Sequence, residues 1–581
     1  MRYSKLLSLV PLISSLASAQ AFEHRLVSKR LHKRGIDVDG HYNISIYHIN
    51  DVHAHLDQFR SSGADCTDLT RGCYGGYARV KEVIDKERPT KEDSLFLNAG
   101  DEFQGTLFYS FYGGEKIAET LNQLGFDAMT VGNHEFDGGD DKLAEFLGNL
   151  TFPAISANIH TNNTALASKL VPYKIFPKHK LAIVAVTTET TPGMSRPGPG
   201  TRFEDPLTAI QRTVNEIKGK EKIDRIIALT HIGYDKDIEL AKKTKGISLI
   251  IGGHSHTPLG DFPGAVGKYP TIEENLDGDE VFIVTAYRWG EYLGYIDIAY
   301  DNDGKIVGYS GAPIHLTNQT TQDPDLQRQI TEWRKPFEAL SREVLGETKV
   351  PLQQTNCQQE ECTLGDLMAD AMVDYRRKLN PAVDFAIINA GGIRAEIDVG
   401  PITRGEVLTA FPFGNSIVEL SFSGEVLWKI FEGAVSHVSV FNGRPVTSFI
   451  QVSAEINLEY NPANEVGQRL ITLQIGGKPV DWKKKYDVVT LDFLAGGGDN
   501  IWERRSYPIT LDSQDEVLIQ YLEKKSPVEP KLSGRIVQTD KTSPENPEQR
   551  PPTIPTPTPT STPGKCRVKK MKRKVPNKGR A

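Results

Sequence analysis

Histidine, aspartate and asparagine side chains recur in five short motifs in the first half of this 581-residue chain. The motifs are, in order, DVHAH at 51–55, GDEFQG at 100–105, GNHEFD at 132–137, THIGYD at 230–235 and GGHSH at 252–256. Imidazole nitrogens combined with carboxylate and amide oxygens suit zinc, manganese, iron or cobalt, whereas magnesium and calcium prefer oxygen alone. The motifs therefore predict a site for two neighbouring divalent cations, with zinc as the first choice and manganese or cobalt as alternatives.

One carboxylate would have to bridge the two ions. Asp101 is the natural bridge, because Gly100 before it lets the backbone come close. We assign one ion to Asp51, His53, Asp101 and His256. We assign the other ion to Asp101, Asn133, His231 and His254.

Two cations about 3.5–4 Å apart polarise phosphoryl oxygens, acidify water and neutralise developing charge. The predicted chemistry is therefore hydrolysis of a phosphate ester. His134 is placed to contact a phosphoryl oxygen or the leaving group, and Asp137 to hold its imidazole in one tautomer.

The elements that must position these motifs are apolar runs, one before each motif. The runs cover residues 44–49, 94–97, 128–131, 225–229 and 247–251, and their composition is typical of buried strands. In open α/β folds, ligands gather just beyond the strand ends. A single D-x-H or H-x-H match is common by chance, but five matches in this order after strands favour the metal site.

At these motifs the chain resembles the calcineurin-like metallophosphoesterases, and specifically their 5′-nucleotidase family. NAGGIR at 389–394, FPFGNS at 411–416 and DFLAGGGDN at 492–500 are similar to the nucleotide-binding segments of that family. Taken alone, the first would be a Gly-rich turn and the last a hairpin loop. The resemblance implies that Asn389 and Arg394 contact the base side and the phosphates, that Phe413 and Phe493 sandwich the base, and that Asp499 accepts from the ribose hydroxyls.

The resemblance also implies an α/β architecture with two domains. It comprises an N-terminal four-layer α/β β-sandwich metallophosphatase domain at 40–316, a connecting helix at 323–345 and a C-terminal α/β nucleotide-binding domain at 350–537. A nucleotide substrate would bind between the domains, with its phosphate at the metals. In relatives the second domain rotates to deliver the substrate.

Two positions depart from the family pattern. Animal members carry an arginine in the small disulfide loop that corresponds to CQQEEC at 357–362, where this chain has Gln358 and Gln359. His256 stands where some relatives have Asn or Gln. The activity that the resemblance implies is release of phosphate from nucleoside 5′-monophosphates. Because of the first departure, two alternative activities stay open, that of an apyrase and that of a phosphoesterase for UDP-sugars or cyclic nucleotides.

A rival from another class is a catalytically silent nucleotide-binding or adhesion protein. The complete set of candidate ligands argues against it, because a silent protein has no physical need to keep costly polar groups together. The net charge of −7 and pI near 6.1 give no signature of nucleic-acid binding.

Several features predict secretion. Residues 1–19 have the form of a signal peptide, and the dibasic pairs in 20–34 indicate either a cleaved propeptide or a merely basic N-terminus. Local disulfides Cys66–Cys73 and Cys357–Cys362 are the economical pairing of three, and family members have small disulfide loops at both places. Cys566 is left over.

N-glycosylation sequons stand at Asn43, Asn149, Asn162 and Asn318, of which Asn43 falls in a predicted strand. No membrane anchor is expected. Residues 542–581 form a Pro/Thr-rich linker and a basic tail. The tail indicates either contact with a polyanionic surface or a solvated end.

Overall fold

The computed structural model of the protein describes residues 40–66, 72–507 and 510–543. The predicted signal peptide at 1–19, the propeptide at 20–34, Cys566 and nearly all of the tail at 542–581 lie outside the described residues.

The N-terminal unit contains two large β-sheets. Its strands are β1 (Tyr42–Ile49), β2 (Ser94–Asn98), β3 (Ala128–Thr130), β4 (Ala154–Ile155), β5 (Ile159–His160), β6 (Leu170–Val171), β7 (Tyr173–Phe176), β8 (Leu181–Thr187), β9 (Arg202–Phe203), β10 (Arg225–His231), β11 (Leu249–Ile251), β12 (Thr271–Glu274), β13 (Glu280–Val284), β14 (Tyr292–Tyr300), β15 (Ile306–Ser310) and β16 (Ile314–His315). One sheet has the order β15-β14-β1-β2-β3-β4-β6, and the other β12-β13-β11-β10-β8-β7. The strands that precede the five motifs run parallel within their sheets, as expected for an α/β domain.

Helices cover the outer faces of the two sheets. They are α1 (Tyr77–Glu87), α2 (Leu107–Tyr112), α3 (Glu115–Asn122), α4 (Gly139–Asn149), α5 (Thr164–Ala167), α6 (Thr191–Met194), α7 (Pro206–Glu216) and α8 (Tyr234–Lys243). Short 3₁₀ or π segments lie at Arg88–Thr90, His134–Phe136, Pro177–His179 and Ile217–Glu221.

Three apolar cores separate four layers. Along β1, Ile44 and Ile46 point into the core between the two sheets, whereas Tyr47 and Ile49 point into the core beneath α1 and α3. The third core joins the outer face of the second sheet to α7 and α8. This helix–sheet–sheet–helix order confirms the predicted four-layer architecture, because each strand alternates its side chains between two apolar layers.

A long helix, α9 (Pro324–Ser341), follows the N-terminal unit. Asp323 caps it by accepting a hydrogen bond from the Leu326 amide, and Pro324 occupies its first turn. The helix ends before the predicted limit of residue 345. Residues Val344–Thr348 form β17 instead, because they pair with β19 (Gly400–Thr403) of the second unit.

The C-terminal unit is a second α/β body. Its further strands are β18 (Phe385–Asn389), β20 (Ser416–Ser423), β21 (Ile450–Val452), β22 (Ile456–Tyr460), β23 (Leu470–Ile475), β24 (Lys478–Pro479), β25 (Lys485–Leu491), β26 (Thr510–Ser513) and β27 (Ile536–Gln538). Its helices are α10 (Thr363–Arg377), α11 (Arg404–Ala410), α12 (Gly424–Ser436), α13 (Asp492–Ala495) and α14 (Gln514–Lys525), with 3₁₀ turns at Ala390–Gly392 and Gly498–Asn500. The sheets have the orders β21-β18-β25-β20-β26 and β24-β23-β22-β27 around one apolar core.

Candidate active site

The polar motifs of the N-terminal unit converge where the parallel strands of both sheets end. The side chains placed there are Asp51 and His53 after β1, Asp101 after β2, Asn133 after β3, His231 at the end of β10, and His254 and His256 after β11. Because the two sheets pack face to face, loops of both reach one point although their motifs are about two hundred residues apart in the sequence.

The candidate ligand atoms form two groups. One contains Asp51, His53 and His256, the other Asp101, His231 and His254, and within each group the atoms lie within 4.8 Å of one another. The Oδ2 atom of Asp101 lies 3.0 Å from His231 Nε2 and 3.9 Å from His53 Nε2, so this carboxylate stands between the groups.

The spacing of these atoms fits metal ions. His53 Nε2 and His256 Nε2 are 3.0 Å apart, and His256 Nε2 is 3.4 Å from Asp51 Oδ1. Atoms bonded at about 2.0–2.2 Å to one tetrahedral ion would lie about 3.3–3.6 Å apart. The Asn133 Oδ1 atom is buried and finds no hydrogen-bond partner among the described residues, as expected for an oxygen that would ligate an ion.

Backbone carbonyls orient two of the imidazoles. His53 Nδ1 lies 3.0 Å from the Phe103 carbonyl, and His231 Nδ1 lies 2.7 Å from the Ala99 carbonyl. A carbonyl oxygen can only accept, so each Nδ1 carries the proton and each Nε2 presents its lone pair to the site. This tautomer leaves Nε2 free to bind a metal ion.

Positive backbone dihedrals bend the loops toward the site. Asp51, His53 and Asp101 have φ of 53°, 50° and 59°. A Cβ atom on Gly132 would lie 2.1 Å from Asp101 Oδ1, so only glycine fits beside that carboxylate. Strain of this kind persists only where the surrounding contacts determine the conformation.

Glu135 holds two of these loops in place, a role that sequence reasoning missed. Its Oε2 accepts hydrogen bonds from the amides of Asp101 and Gly132, and its Oε1 accepts from those of Glu102 and Phe103. The side chain is fully buried and lies in neither group of candidate ligands. Glu135 belongs to the GNHEFD motif, but only the fold shows that its carboxylate accepts hydrogen bonds from the GDEFQG loop.

We expect Glu135→Gln to lower turnover about 10- to 100-fold, as is usual when a group that supports metal ligands is changed. An amide in place of the carboxylate puts an NH₂ group against backbone N–H donors, so the loop that carries Asp101 would shift. The measurement is kcat together with bound metal per chain.

The matched control is Glu361→Gln. Glu361 also accepts from four backbone amides, those of residues 533–536, but it lies outside the site. If both variants lost activity equally, Glu135 would have no specific positioning role.

His134 and Asp137 form a pair at the edge of the metal groups. His134 Nδ1 donates to Asp137 Oδ2 at 2.8 Å, and the His134 amide donates to Asp101 Oδ1 at 2.9 Å. Burial alone would lower the pKa of His134, but the carboxylates of Asp137 and Asp101 outweigh it and raise the pKa above its ordinary value. Its Nε2 is therefore suited to donate a proton.

A cavity of about 540 Å³ opens between the two units at this point. The N-terminal unit lines it with Asp101, Asn133, His134, His254 and His256, and the C-terminal unit lines it with Asn389, Arg394, Phe413, Phe493 and Asp499. The predicted metal-ligating and nucleotide-binding residues thus face one another across a single space.

The C-terminal unit forms the second wall of the cavity, and hydrogen bonds within this wall hold its polar side chains in place. Asp499 Oδ2 accepts from Asn389 Nδ2 at 2.8 Å, and its Oδ1 accepts from the Thr447 hydroxyl at 2.7 Å. Burial raises the pKa of Asp499 to about 6. Arg394 reaches across the cavity, where its Nη2 lies 3.1 Å from His53 Nε2.

Two aromatic rings complete the second wall. Phe413 and Phe493 are half-buried and line the cavity. The Phe413 ring centroid lies 5.8 Å from that of His134, so the aromatic rings lie next to the two groups of candidate metal ligands. The ring of Phe493 packs where a Cβ on Gly498 would stand, 2.5 Å from the ring edge, which explains a glycine at that position.

Comparison with known proteins agrees with this geometry. The sequence profile of the calcineurin-like phosphoesterases matches residues 44–258, and that of the 5′-nucleotidase C-terminal domain matches residues 344–504. The 5′-nucleotidase of Bos taurus is 35% identical over 85% of this chain and 91% of its own length. The snake venom 5′-nucleotidase of Naja atra is 34% identical over 86% of this chain and 99% of its own length.

The fold has solved counterparts as well. The crystal structure of a 5′-nucleotidase precursor from Thermus thermophilus superposes with a TM-score of 0.79, at 32% sequence identity, over 86% of this chain and all of that one. The chain belongs to the 5′-nucleotidase family. It is a metallophosphoesterase with two candidate metal sites, which implies two divalent ions.

Two disulfides, Cys66–Cys73 and Cys357–Cys362, close the two loops at which the sequence predicted them. The second loop places Gln358 at the cavity, where its Oε1 accepts from the Phe449 amide at 3.0 Å. Gln358 thus presents a neutral amide to the cavity.

The four sequons differ in exposure. Asn149, Asn162 and Asn318 are exposed at the surface of the 5′-nucleotidase fold. Asn43 lies in β1 with its Oδ1 buried, so it is the least accessible of the four. Within the described ranges, none of the helices has the length and apolarity that a bilayer span requires.

Further residues line the cavity that the sequence motifs did not single out. They are Gln104, Tyr109, Met194, Ser195, Arg196, Ser255, Gln354, Asn415 and Thr447, among others. Gln104 stood within a motif, whereas the segment 194–196 carries no pattern that could have identified it from sequence.

Proposed function

We propose that the protein hydrolyses nucleoside 5′-monophosphates to nucleosides and inorganic phosphate outside the cell. The observation that carries the proposal is the single cavity whose one wall gathers the candidate metal ligands and whose other wall gathers Asn389, Asp499 and two aromatic rings. A phosphate monoester with a flat base at its far end matches both walls. Membership of the 5′-nucleotidase family supports the same substrate class.

The two groups of ligands would hold the ions as assigned from the sequence. Asp51, His53 and His256 would bind one ion, His231, His254 and Asn133 the other, and Asp101 both. Mixed nitrogen and oxygen ligand sets of this kind favour zinc, with manganese or cobalt as alternatives. The bound ions would polarise the phosphoryl group and lower the pKa of water.

Side chains of the protein would bind the substrate and supply the proton that the leaving group needs. Arg394 would pair with phosphoryl oxygens, and His134, oriented by Asp137, would give a proton to the leaving oxygen of the ribose. Phe413 and Phe493 would stack on the base, while Asp499 would accept from the ribose hydroxyls.

Secretion belongs to the proposal. Two disulfides in one chain are typical of an oxidising compartment. The exposed sequons at Asn149, Asn162 and Asn318 are compatible with glycosylation in that compartment.

The decisive experiment compares phosphate release from AMP, ADP, ATP, a UDP-sugar and a cyclic nucleotide, each with and without a chelator. We expect AMP to be the best substrate, and we expect chelation to abolish turnover and added zinc, manganese or cobalt to restore it. Turnover indifferent to chelator would contradict the proposal, and so would a purified protein that neither contains nor binds metal.

A second candidate is a broader hydrolase that also accepts di- and triphosphates or other phosphate esters. Gln358 favours it, since this loop presents a neutral amide to the cavity where the resemblance to animal members implies a phosphate-binding arginine. Comparable kcat/KM for AMP and ADP would support this reading over the strict one. A catalytically silent nucleotide-binding protein would release phosphate from none of the compounds.

We expect Phe493→Ala to raise KM for AMP about tenfold while kcat changes little, because one base–aromatic stack contributes about 1–3 kcal/mol. The measurement is steady-state kinetics with AMP. Phe111→Ala is the matched control, since Phe111 is 55% exposed and does not line the cavity. An unchanged KM in the Phe493 variant would refute the base clamp.

A further inference from the structure

Gln104 is a buried glutamine whose side chain has no hydrogen-bond partner in the part of the chain that the structure describes. It is 1% exposed, and within residues 40–66, 72–507 and 510–543 neither its Nε2 nor its Oε1 finds a donor or acceptor. Leaving a buried polar group unpaired destabilises the folded chain. An amide unpaired at both ends therefore indicates partners outside the polypeptide, a ligand or ordered water.

Gln451 shows how a purely structural buried glutamine differs. It is fully buried, its Nε2 donates to the carbonyls of Cys357 and Glu360 at 2.8 and 2.7 Å, and its Oε1 accepts from the Cys362 amide at 3.0 Å. The chain thus satisfies a buried glutamine where that residue serves the fold.

The location of Gln104 identifies its partner. It lines the same cavity as Asp101, Asn133 and His134, and it follows Asp101 by three residues. The loop is fixed against the His53 segment, because the His53 and Ala54 amides donate to the carbonyls of Asp101 and Glu102 at 3.0 and 2.9 Å. The amide is therefore held beside the place where a phosphoryl group would meet the candidate metal groups.

The backbone at Gln104 supports a functional role. Its φ of 67° lies in the left-handed region, which a non-glycine residue adopts at a cost. The next residue, Gly105, packs so closely that a Cβ would lie 2.4 Å from the His53 carbonyl oxygen. The loop keeps a strained position that aims a polar side chain into the cavity rather than into the core.

We propose that Gln104 is a substrate-contacting residue whose amide Nε2 donates a hydrogen bond to a phosphoryl oxygen of the bound phosphate ester. Its Oε1 is then left to accept from a water molecule in the same space. The inference deepens the proposed function and rests on it for the substrate class. It adds a neutral donor to the cations that face the phosphoryl group.

The test compares Gln104→Ala and Gln104→Glu. The alanine variant removes the donor, while the glutamate variant keeps the shape and places an acceptor-only anion against an anionic phosphoryl group. A hydrogen bond to a charged partner is stronger than one between neutral groups, so we expect kcat/KM for AMP to fall about 10- to 100-fold in Gln104→Ala. We expect a larger fall in Gln104→Glu, with metal content unchanged in both.

A binding readout separates this inference from the proposed function. Inorganic phosphate is titrated into the metal-loaded protein by calorimetry, and we expect its Kd to rise in both variants and more in Gln104→Glu. Phosphate binding can be measured even if the wild-type protein does not hydrolyse AMP. That failure would contradict the proposed function but not the inference about Gln104. Gln451→Ala, as the control, should lower the thermal midpoint without weakening phosphate binding in the folded protein.

An unchanged phosphate Kd in both Gln104 variants would overturn the inference. So would a glutamate variant that binds phosphate as tightly as wild type. If the variants lost bound metal in proportion to lost phosphate affinity, Gln104 would act on the metal loop instead, and the inference would equally be wrong.

Discussion

Replacing Asp101 with alanine should lower turnover about 10³-fold or more and reduce the metal bound per chain. The Asp101 carboxylate stands between both groups of candidate ligands, 3.0 Å from His231 Nε2 and 3.9 Å from His53 Nε2. Burial alone would raise its pKa, but the imidazoles of His231 and His134 outweigh burial and hold that pKa well below its ordinary value. The carboxylate is therefore anionic, as a bridging ligand must be.

The size of the expected loss follows from what the ions supply. Charge stabilisation of the transition state by metal contributes several kcal/mol, and each 1.4 kcal/mol is about tenfold in rate. The measurement pairs initial rates of phosphate release with metal analysis of the same preparation. Wild-type-like rates with full metal content would refute the assignment of the bridge.

Asp140→Asn separates loss of function from loss of fold. Asp140 is also a buried carboxylate of the N-terminal unit, and it accepts from the Gly198 amide at 2.8 Å and the Thr201 hydroxyl at 2.5 Å. It lines neither the cavity nor the metal groups. We expect this control to lower stability while retaining metal and turnover in the folded fraction.

The sequence was most informative where chemistry and secondary structure coincide. The apolar runs before the motifs did form parallel strands, because short segments rich in Val, Ile, Leu or Phe have few other ways to bury both faces. Once strands are parallel, their carboxyl ends share one edge, so the ligand-type residues beyond them could be predicted to meet. That two sheets, rather than one, supply these edges came from the resemblance and not from periodicity.

What the sequence could not provide were contacts made by the folded loops. Nothing in the sequence distinguishes Glu135 from other acidic residues. In the fold, its carboxylate accepts hydrogen bonds from backbone amides of a loop some thirty residues away. Likewise, the pattern extended the connecting helix to residue 345, whereas the chain leaves the helix at Ser341 to pair β17 with β19. Such partners are distant in sequence, so local propensity carries no signal for them.

His134 provides the second large prediction, and it separates acid catalysis from metal binding. His134 belongs to neither group of candidate ligands, so His134→Ala should keep its full complement of ions. Its Nδ1 donates to Asp137, which leaves Nε2 facing the cavity as the proton donor. Loss of a general acid costs about 10²–10⁴-fold, and we expect kcat for AMP to fall in that range. Metal analysis and circular dichroism should match wild type.

The leaving group decides what His134 does. Hydrolysis of AMP breaks the bond between phosphorus and the ribose O5′, and that oxygen must gain a proton as it departs. A nitrophenolate leaves without one, so if Nε2 supplies that proton, His134→Ala should lose far less activity toward p-nitrophenyl phosphate than toward AMP. Equal losses on both substrates would mean that His134 stabilises phosphoryl charge instead. His160→Ala is the control, because His160 forms a similar pair with Glu204 at 3.0 Å on the exposed surface.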